Sequence, residues 1–182
     1  HGIGRRQRQM CIRDRARDDH PVEAWLSVDD AAAAITAFRS EEPGEVELLF
    51  LQVCTKAALA PLYAFRDAAR TTLASQLLLG APNDYYTPAL RSITPEMTGA
   101  QAAAAIAGAE GSRMHLSYTC IDNAALSRAP EVLGGVDLSG VTADSLAATL
   151  YAYEGDTYVD AGALLDAALS LIHISEPTRR YE

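Results

Sequence analysis

Along this chain, short apolar runs alternate with longer stretches in which apolar residues return every three or four positions. The run VELLFLQVC, residues 46–54, is mostly apolar and follows the breaker-rich turn EEPGE at 41–45. Its length and its Val and Phe content predict a strand buried on both faces, as in parallel α/β sheets. TTLASQLLL at 71–79 predicts a second strand, closed by the loop GAPND at 80–84, and RMHLSYTCID at 113–122 alternates as a third. Upstream, EAWLSVDDAAAAITAFR predicts a short extended start and then a helix. Asp29 and Asp30 fall in its first turn, where carboxylates suit the positive helix end, and Ala33, Ile35 and Phe38 form its expected buried stripe. A helix over 58–69 turns Leu59, Leu62 and Tyr63 inward, with Pro61 confined to the first turn. Further helices are expected at 85–93, at 99–109 behind Thr98 as a cap, from Ala124 to about Leu133, and across VTADSLAATLYAY. GDTYVDAGALLDAA then gives a short extended piece and a final helix. Strands alternating with helices predict a three-layer α/β domain.

The two ends break this pattern. RRQRQMCIRDR at 5–15 sets five arginines before an acidic chain, and LSLIHISEPTR at 169–179 is equally foreign to what precedes it. Back-translated, each end reads as one strand of a transposase-type sequencing adapter. Residues 1–15 and 169–182 are therefore set aside as adapter-derived, and 16–168 are read as the natural domain.

Charge changes with that division. Leaving out the seven arginines and three carboxylates of the ends reduces 15 basic and 24 acidic residues to 8 and 21, a net charge of −13. Such a balance disfavours nucleic acid and anionic membrane surfaces as partners. No apolar run reaches membrane-spanning length without Gln52 or Lys56 interrupting it, so no membrane insertion is expected. The natural stretch keeps two cysteines, Cys54 and Cys120, and two histidines, His20 and His115. That excludes a disulfide framework and the ligand spacings of zinc sites. His20 reads as a solvated loop residue, His115 as facing a cleft or solvent, and Cys120 as core. The Asp pairs at 18–19 and 29–30 lack the spacing of a calcium loop.

Cys54 is the sharpest chemical candidate. It closes a predicted buried strand, at the sheet end where α/β folds place their ligand crevices, and a helix N-terminus follows within a few residues. That position suits a nucleophile, whereas an ordinary free cysteine packs as a small buried hydrophobe. Residues alone leave both open.

The wider stretch ELLFLQVCTKAALAPLYAFRDAARTTLASQ resembles the nucleophile segment of the clostripain family of cysteine peptidases. Val53-Cys54 stand where that family has Ala-Cys, and Tyr63, Arg66-Asp67 and Ala74-Ser75 also match. PNDYYTPAL, PEMTGAQAAAAI, LSYTCIDNAAL and YVDAGALL resemble later family segments, so the likeness covers nearly all of 16–168. The resemblance implies the fold of caspases and haemoglobinases: a mostly parallel central sheet between helical layers, here without its first strands. It implies a cysteine endopeptidase acting on peptide or protein substrates, with Cys54 as nucleophile and an extracellular or cell-envelope setting. The chemistry requires no cofactor, and calcium is implied only by some family members.

Departures bear on activity. The family's partner histidine, followed by glycine, precedes the cysteine by somewhat under fifty residues, a count that lands in the arginine-rich leader. His1-Gly2 imitates the dipeptide but belongs to the adapter-derived end, so base and oxyanion glycine are expected upstream and the fragment itself is expected to be inert. Gln52 stands where the family has an Asp lining the pocket for a basic side chain; Asp84 either supplies a replacement carboxylate or serves as an ordinary turn residue. Ala60 and Gln76 replace residues that are usually Glu. The alternative to a peptidase is a degenerate member using the same fold as a structural or binding domain.

Overall fold

The computed structural model describes residues 15–18, 24–41, 44–77, 79, 86–109, 117–147, 150–153 and 156–175. In chain order the elements are β1 (Arg15–Asp18), β2 (Ala24–Ser27), α1 (Val28–Glu41), β3 (Leu48–Leu51), α2 (Leu59–Ala64), β4 (Thr71–Ser75), α3 (Tyr86–Ser92), α4 (Gly99–Ala109), β5 (Tyr118–Asp122), α5 (Asn123–Leu126), α6 (Ala129–Gly134), β6 (Leu150–Tyr153), β7 (Asp156–Val159) and α7 (Ala161–Ser175). Contacts divide them into two units, one ending at Arg128 and the other beginning at Ala129.

The first unit is built on a sheet of order β3-β4-β5. β3 and β4 pair in parallel, Leu51 beside Ala74, while β4 and β5 pair antiparallel, Leu73 opposite Cys120. Helices cover both faces. Leu51 and Ala74 pack with Ala32 of α1 and with Leu62, Phe65 and Ala68 in and after α2. On the other face Leu73 packs with Ala89 of α3 and with Ala103 and Ile106 of α4, and the Phe50 and Tyr118 rings meet edge to face at 5.6 Å. Each fully buried leucine of this kind contributes roughly 1.5–3 kcal/mol.

Local chemistry sets the helix starts. Ser27 Oγ accepts the Asp30 N–H at 3.0 Å and donates to the Asp30 carboxylate at 2.6 Å, which caps α1. Thr98 Oγ1 accepts from Gln101 N while Gln101 Oε1 accepts from Thr98 N, a reciprocal cap on α4 that bears out the reading of Thr98. Asp122 accepts from Ala124 N and Ala125 N at the start of α5. Pro61 falls in the first turn of α2, as expected. At the first position of α5, Asn123 is buried and donates to Ala69 O at 2.8 Å and to Thr72 Oγ1 at 2.9 Å, tying β4 and its preceding turn to the end of β5.

Several expectations are corrected. Among the described strands the sheet is mixed rather than mostly parallel, because two helices, not one, connect β4 to β5 and return the chain to the end it left. The buried stripe of α1 is Val28, Ala31, Ala32 and Ile35; Ala33 is exposed and Phe38 is 59% exposed. Leu59 is exposed while Leu62 is buried. The helix expected from Ala124 is split into α5 and α6 ahead of Pro130. VTADSLAATLYAY is not one helix: its end forms β6, paired antiparallel with β7, and the tyrosines of Leu150–Tyr153 favour that ladder over the helical bias of the alanines. Cys120 is exposed rather than core, since it lies on an outer strand of the described sheet, past the reach of the buried α3–α4 cluster. The second unit contains α6, the β6–β7 pair and α7, with Leu146 and Ala168 buried.

Gly99 opens α4 directly against the main chain of Glu47 and the side chain of Thr71; a Cβ there overlaps Glu47 O. Gly99→Ala is expected to destabilise the fold by about 1–3 kcal/mol, as overpacking against backbone does. Urea unfolding of the two proteins checks this; equal midpoints contradict it.

Candidate active site

β3 ends at Leu51, so Cys54 lies three residues beyond the strand, in a turn at the carboxyl end of the parallel β3–β4 pair. The turn is strained. Thr55 has φ of 59°, the left-handed region that costs a β-branched residue of order 1–3 kcal/mol, and its hydroxyl donates to Cys54 O at 2.7 Å. Ala57 N donates to Ser75 O at 3.0 Å, fastening the far side of the turn to the end of β4. α2 begins only at Leu59, five residues after the cysteine and six residues long, so the sulfur does not sit on a helix end.

Cys54 is only 6% exposed. Its sulfur meets the main chain of Leu79: Leu79 N donates to Sγ at 3.3 Å, and Sγ donates to Leu79 O at 3.8 Å. Leu77 is fixed beside it, accepting from Thr55 N at 3.2 Å and exchanging bonds of 3.1 and 3.2 Å with Ser75 Oγ. Lys56 is also buried.

Gln52 is half-buried, and its Oε1 accepts from Tyr86 OH at 2.6 Å, linking the end of β3 to the start of α3. A carboxamide bonded in this way offers no charge to a cationic side chain. Asp84, His20 and His115 lie outside the described residues, as does His1-Gly2. Among the sequence-selected residues, then, Cys54 and Gln52 are placed at one end of the sheet. Sequence reasoning matched Ser75 only as part of a family dipeptide, and missed Tyr86, Leu79 and the left-handed Thr55. Nothing in a threonine announces a positive φ.

A cleft of about 370 Å³ opens elsewhere, by the amino end of β4. Arg39, Arg66 and Arg70 line it, yet each has a partner. Arg39 donates to Asp67 O; Arg66 lies 4.1 Å over the Tyr63 ring, donates to Tyr63 O at 2.8 Å and pairs with Asp67 at 3.2 Å; Arg70 pairs with Glu45 and with Glu47. The matched Arg66-Asp67 dipeptide thus works at this junction, away from Cys54. Such largely exposed pairs each contribute about 0–1 kcal/mol.

Among the described residues no three His, Cys, Asp or Glu side chains gather where they could hold a metal ion, and Asp30 is committed to capping α1. Among the described residues no helix is long and apolar enough to cross a membrane.

No protein-family model and no curated protein sequence matches the chain. Its structure is similar to that of a secreted C11 cysteine protease from Bacteroides thetaiotaomicron, solved in complex with an irreversible peptide inhibitor, with a TM-score of 0.55 and 17% identity over 87% of this chain and 48% of that one. A B. fragilis cysteine protease aligns with a TM-score of 0.46 and 15% identity over 75% of this chain and 56% of that one. The chain therefore spans about half the length of the solved structures it matches. The resemblance to clostripain-family (C11) proteases holds at the level of the fold.

Burial separates Cys54 from Cys120. In a Cys11→Ser background, iodoacetamide is expected to modify Cys120 before Cys54 in the folded chain. Desolvation raises the Cys120 pKa above the ordinary thiol value, so its thiolate fraction at pH 8 is smaller than that of a free thiol. Its labelling rate rises to half-maximum at a higher pH than that of a short cysteine peptide. Peptide mapping after timed labelling checks both; faster modification of Cys54 contradicts the placement.

Proposed function

We propose that this chain carries the nucleophile segment of a cysteine endopeptidase of the clostripain type, with Cys54 as the attacking sulfur. The observation that carries the reading is the position of Cys54. It sits in a strained turn at the carboxyl end of a parallel strand pair, within a fold similar to that of C11 cysteine proteases. On this reading residues 16–168 are the natural part, and the intact domain is a caspase-like three-layer sandwich whose remaining strands come from sequence upstream.

The chemistry follows from the nucleophile. A histidine supplied upstream takes the thiol proton, and Cys54 Sγ attacks the scissile carbonyl. The amine leaves with a proton returned from histidine, and water hydrolyses the acyl-enzyme. A glycine amide beside that histidine, together with local main chain, supports the oxyanion. Gln52, paired with Tyr86, makes this part of the pocket neutral, which favours uncharged over basic side chains next to the cleaved bond. A second reading has its own support. The sulfur closed under Leu79 and the missing pocket acid fit a non-catalytic member that keeps the fold for binding.

The uninterrupted coding sequence distinguishes them: a His-Gly pair after a strand upstream of residue 16 is required for the peptidase. In the protein it encodes, an electrophilic peptide probe is expected to label Cys54, and Cys54→Ala to abolish labelling. Replacing the histidine lowers hydrolysis by about 10²–10⁴-fold. Gln52→Asp is expected to shift selectivity toward arginine-bearing peptides about tenfold, or ~1.4 kcal/mol. Absence of the His-Gly pair, or a probe that bypasses Cys54, removes the enzymatic reading.

A further inference from the structure

The cleft by the amino end of β4 is lined by three guanidinium groups, those of Arg39, Arg66 and Arg70, and by three carboxylates, those of Glu45, Asp67 and Asp122. The arginines are three of the eight basic residues in 16–168, gathered around one hollow in a stretch whose net charge is −13. The charges of the lining sum to zero, but they are not evenly paired. Arg66 is matched by Asp67, and Arg70 by Glu45 and by Glu47. Asp122 Oδ1 is engaged by Ala124 N and Ala125 N. Arg39 is half-buried and donates to Asp67 O, a neutral carbonyl; among the described residues no carboxylate pairs with it.

We propose that this cleft binds a ligand bearing a single carboxylate, received by the Arg39 guanidinium. The bond to Asp67 O ties Arg39, in the last turn of α1, to the turn after α2, so the cation is held in place before any ligand arrives. A guanidinium carries five donors in a planar fork, and one carbonyl leaves enough of them for a carboxylate. Partial burial makes that attraction stronger than at a fully exposed site. The neighbours set the charge of the ligand. One negative charge compensates Arg39, whereas a phosphate dianion adds a second beside Glu45, Asp67 and Asp122. A volume of about 370 Å³ holds more than the carboxylate itself and suits a small organic ligand. The buried Asn123, held by Ala69 O and Thr72 Oγ1, gives the cleft a fixed floor. The chain end or an acidic side chain of a peptide carries such a group. The site does not involve Cys54, so it stands whether or not that sulfur is a nucleophile.

The test is an NMR titration of the full chain, following arginine Nε–H and backbone signals. N-acetyl-alanine presents its carboxylate as a chain end does, and the α-amide of N-acetyl-glutamate as an acidic side chain does; N-acetyl-alaninamide is the neutral control. Saturable shifts at Arg39 and Asn123 with either acid, and none with the control, support the site, and the tighter acid identifies the source. Arg39→Gln is expected to weaken binding about tenfold, the effect of one lost charge-assisted contact. Glu45→Gln, at an exposed position, removes a competing carboxylate and is expected to tighten binding about threefold. This gain keeps the test decisive even where Arg39→Gln fails to fold. Equal shifts with the neutral control overturn the site, as do tighter binding of inorganic phosphate and unchanged affinity in both variants. An Arg39 that serves only to tie α1 to Asp67 lowers the urea midpoint when replaced and gives no saturable shift with any probe, which also overturns it.

Discussion

The first unit depends on one constraint, that β4 be enclosed from every side. Thr72, Leu73, Ala74 and Ser75 are all inaccessible, with β3 and β5 at the edges and a helical layer on each face. Small residues face the α1–α2 layer and a leucine faces α3–α4, so the two layers approach the same strand at different depths. The polar members are satisfied: Thr72 bonds Asn123, and Ser75 bonds Leu77. Buried hydroxyls without partners there would each cost about 1–3 kcal/mol.

Enclosure of β4 also gives the sheet two chemically distinct ends. At the amino end, arginines and carboxylates neutralise one another around an open cleft, and Asn123 secures the floor. At the carboxyl end there is a sulfur, a strained threonine, a buried lysine and a carboxamide bonded to a tyrosine. The cleft and Cys54 are at opposite ends of the sheet. The cleft is lined by its own ion pairs, while the cysteine is covered by the main chain at Leu79.

Much of this was legible in the sequence for physical reasons. The strand cores announce themselves because a doubly buried strand must be apolar throughout, and Thr98 does so because an orphan helix N–H needs an oxygen at a fixed offset. The α1 stripe was misjudged by one position, since a run of four alanines carries no phase, and Phe38 pulled the reading outward. VTADSLAATLYAY misled because pairing with β7 outweighed its helical composition. Cys120 misled because alternation reveals a face and not whether anything covers it. At the candidate site, Cys54 was found from its residue type and its place after a strand, and Gln52 only through the family resemblance. Leu79 and Tyr86 act through a main chain and a hydroxyl brought in from 25 and 34 residues away, a relation that composition cannot express.

The paired helices between β4 and β5 have a consequence beyond the direction of one strand. They make the chain exit β3, exit β4 and enter β5 at a single rim. Lengthening or rewriting those three connections changes what surrounds the sulfur without shifting any residue out of register. In such an architecture the surroundings of Cys54 can change by loop replacement alone, while the sheet beneath it stays as it is.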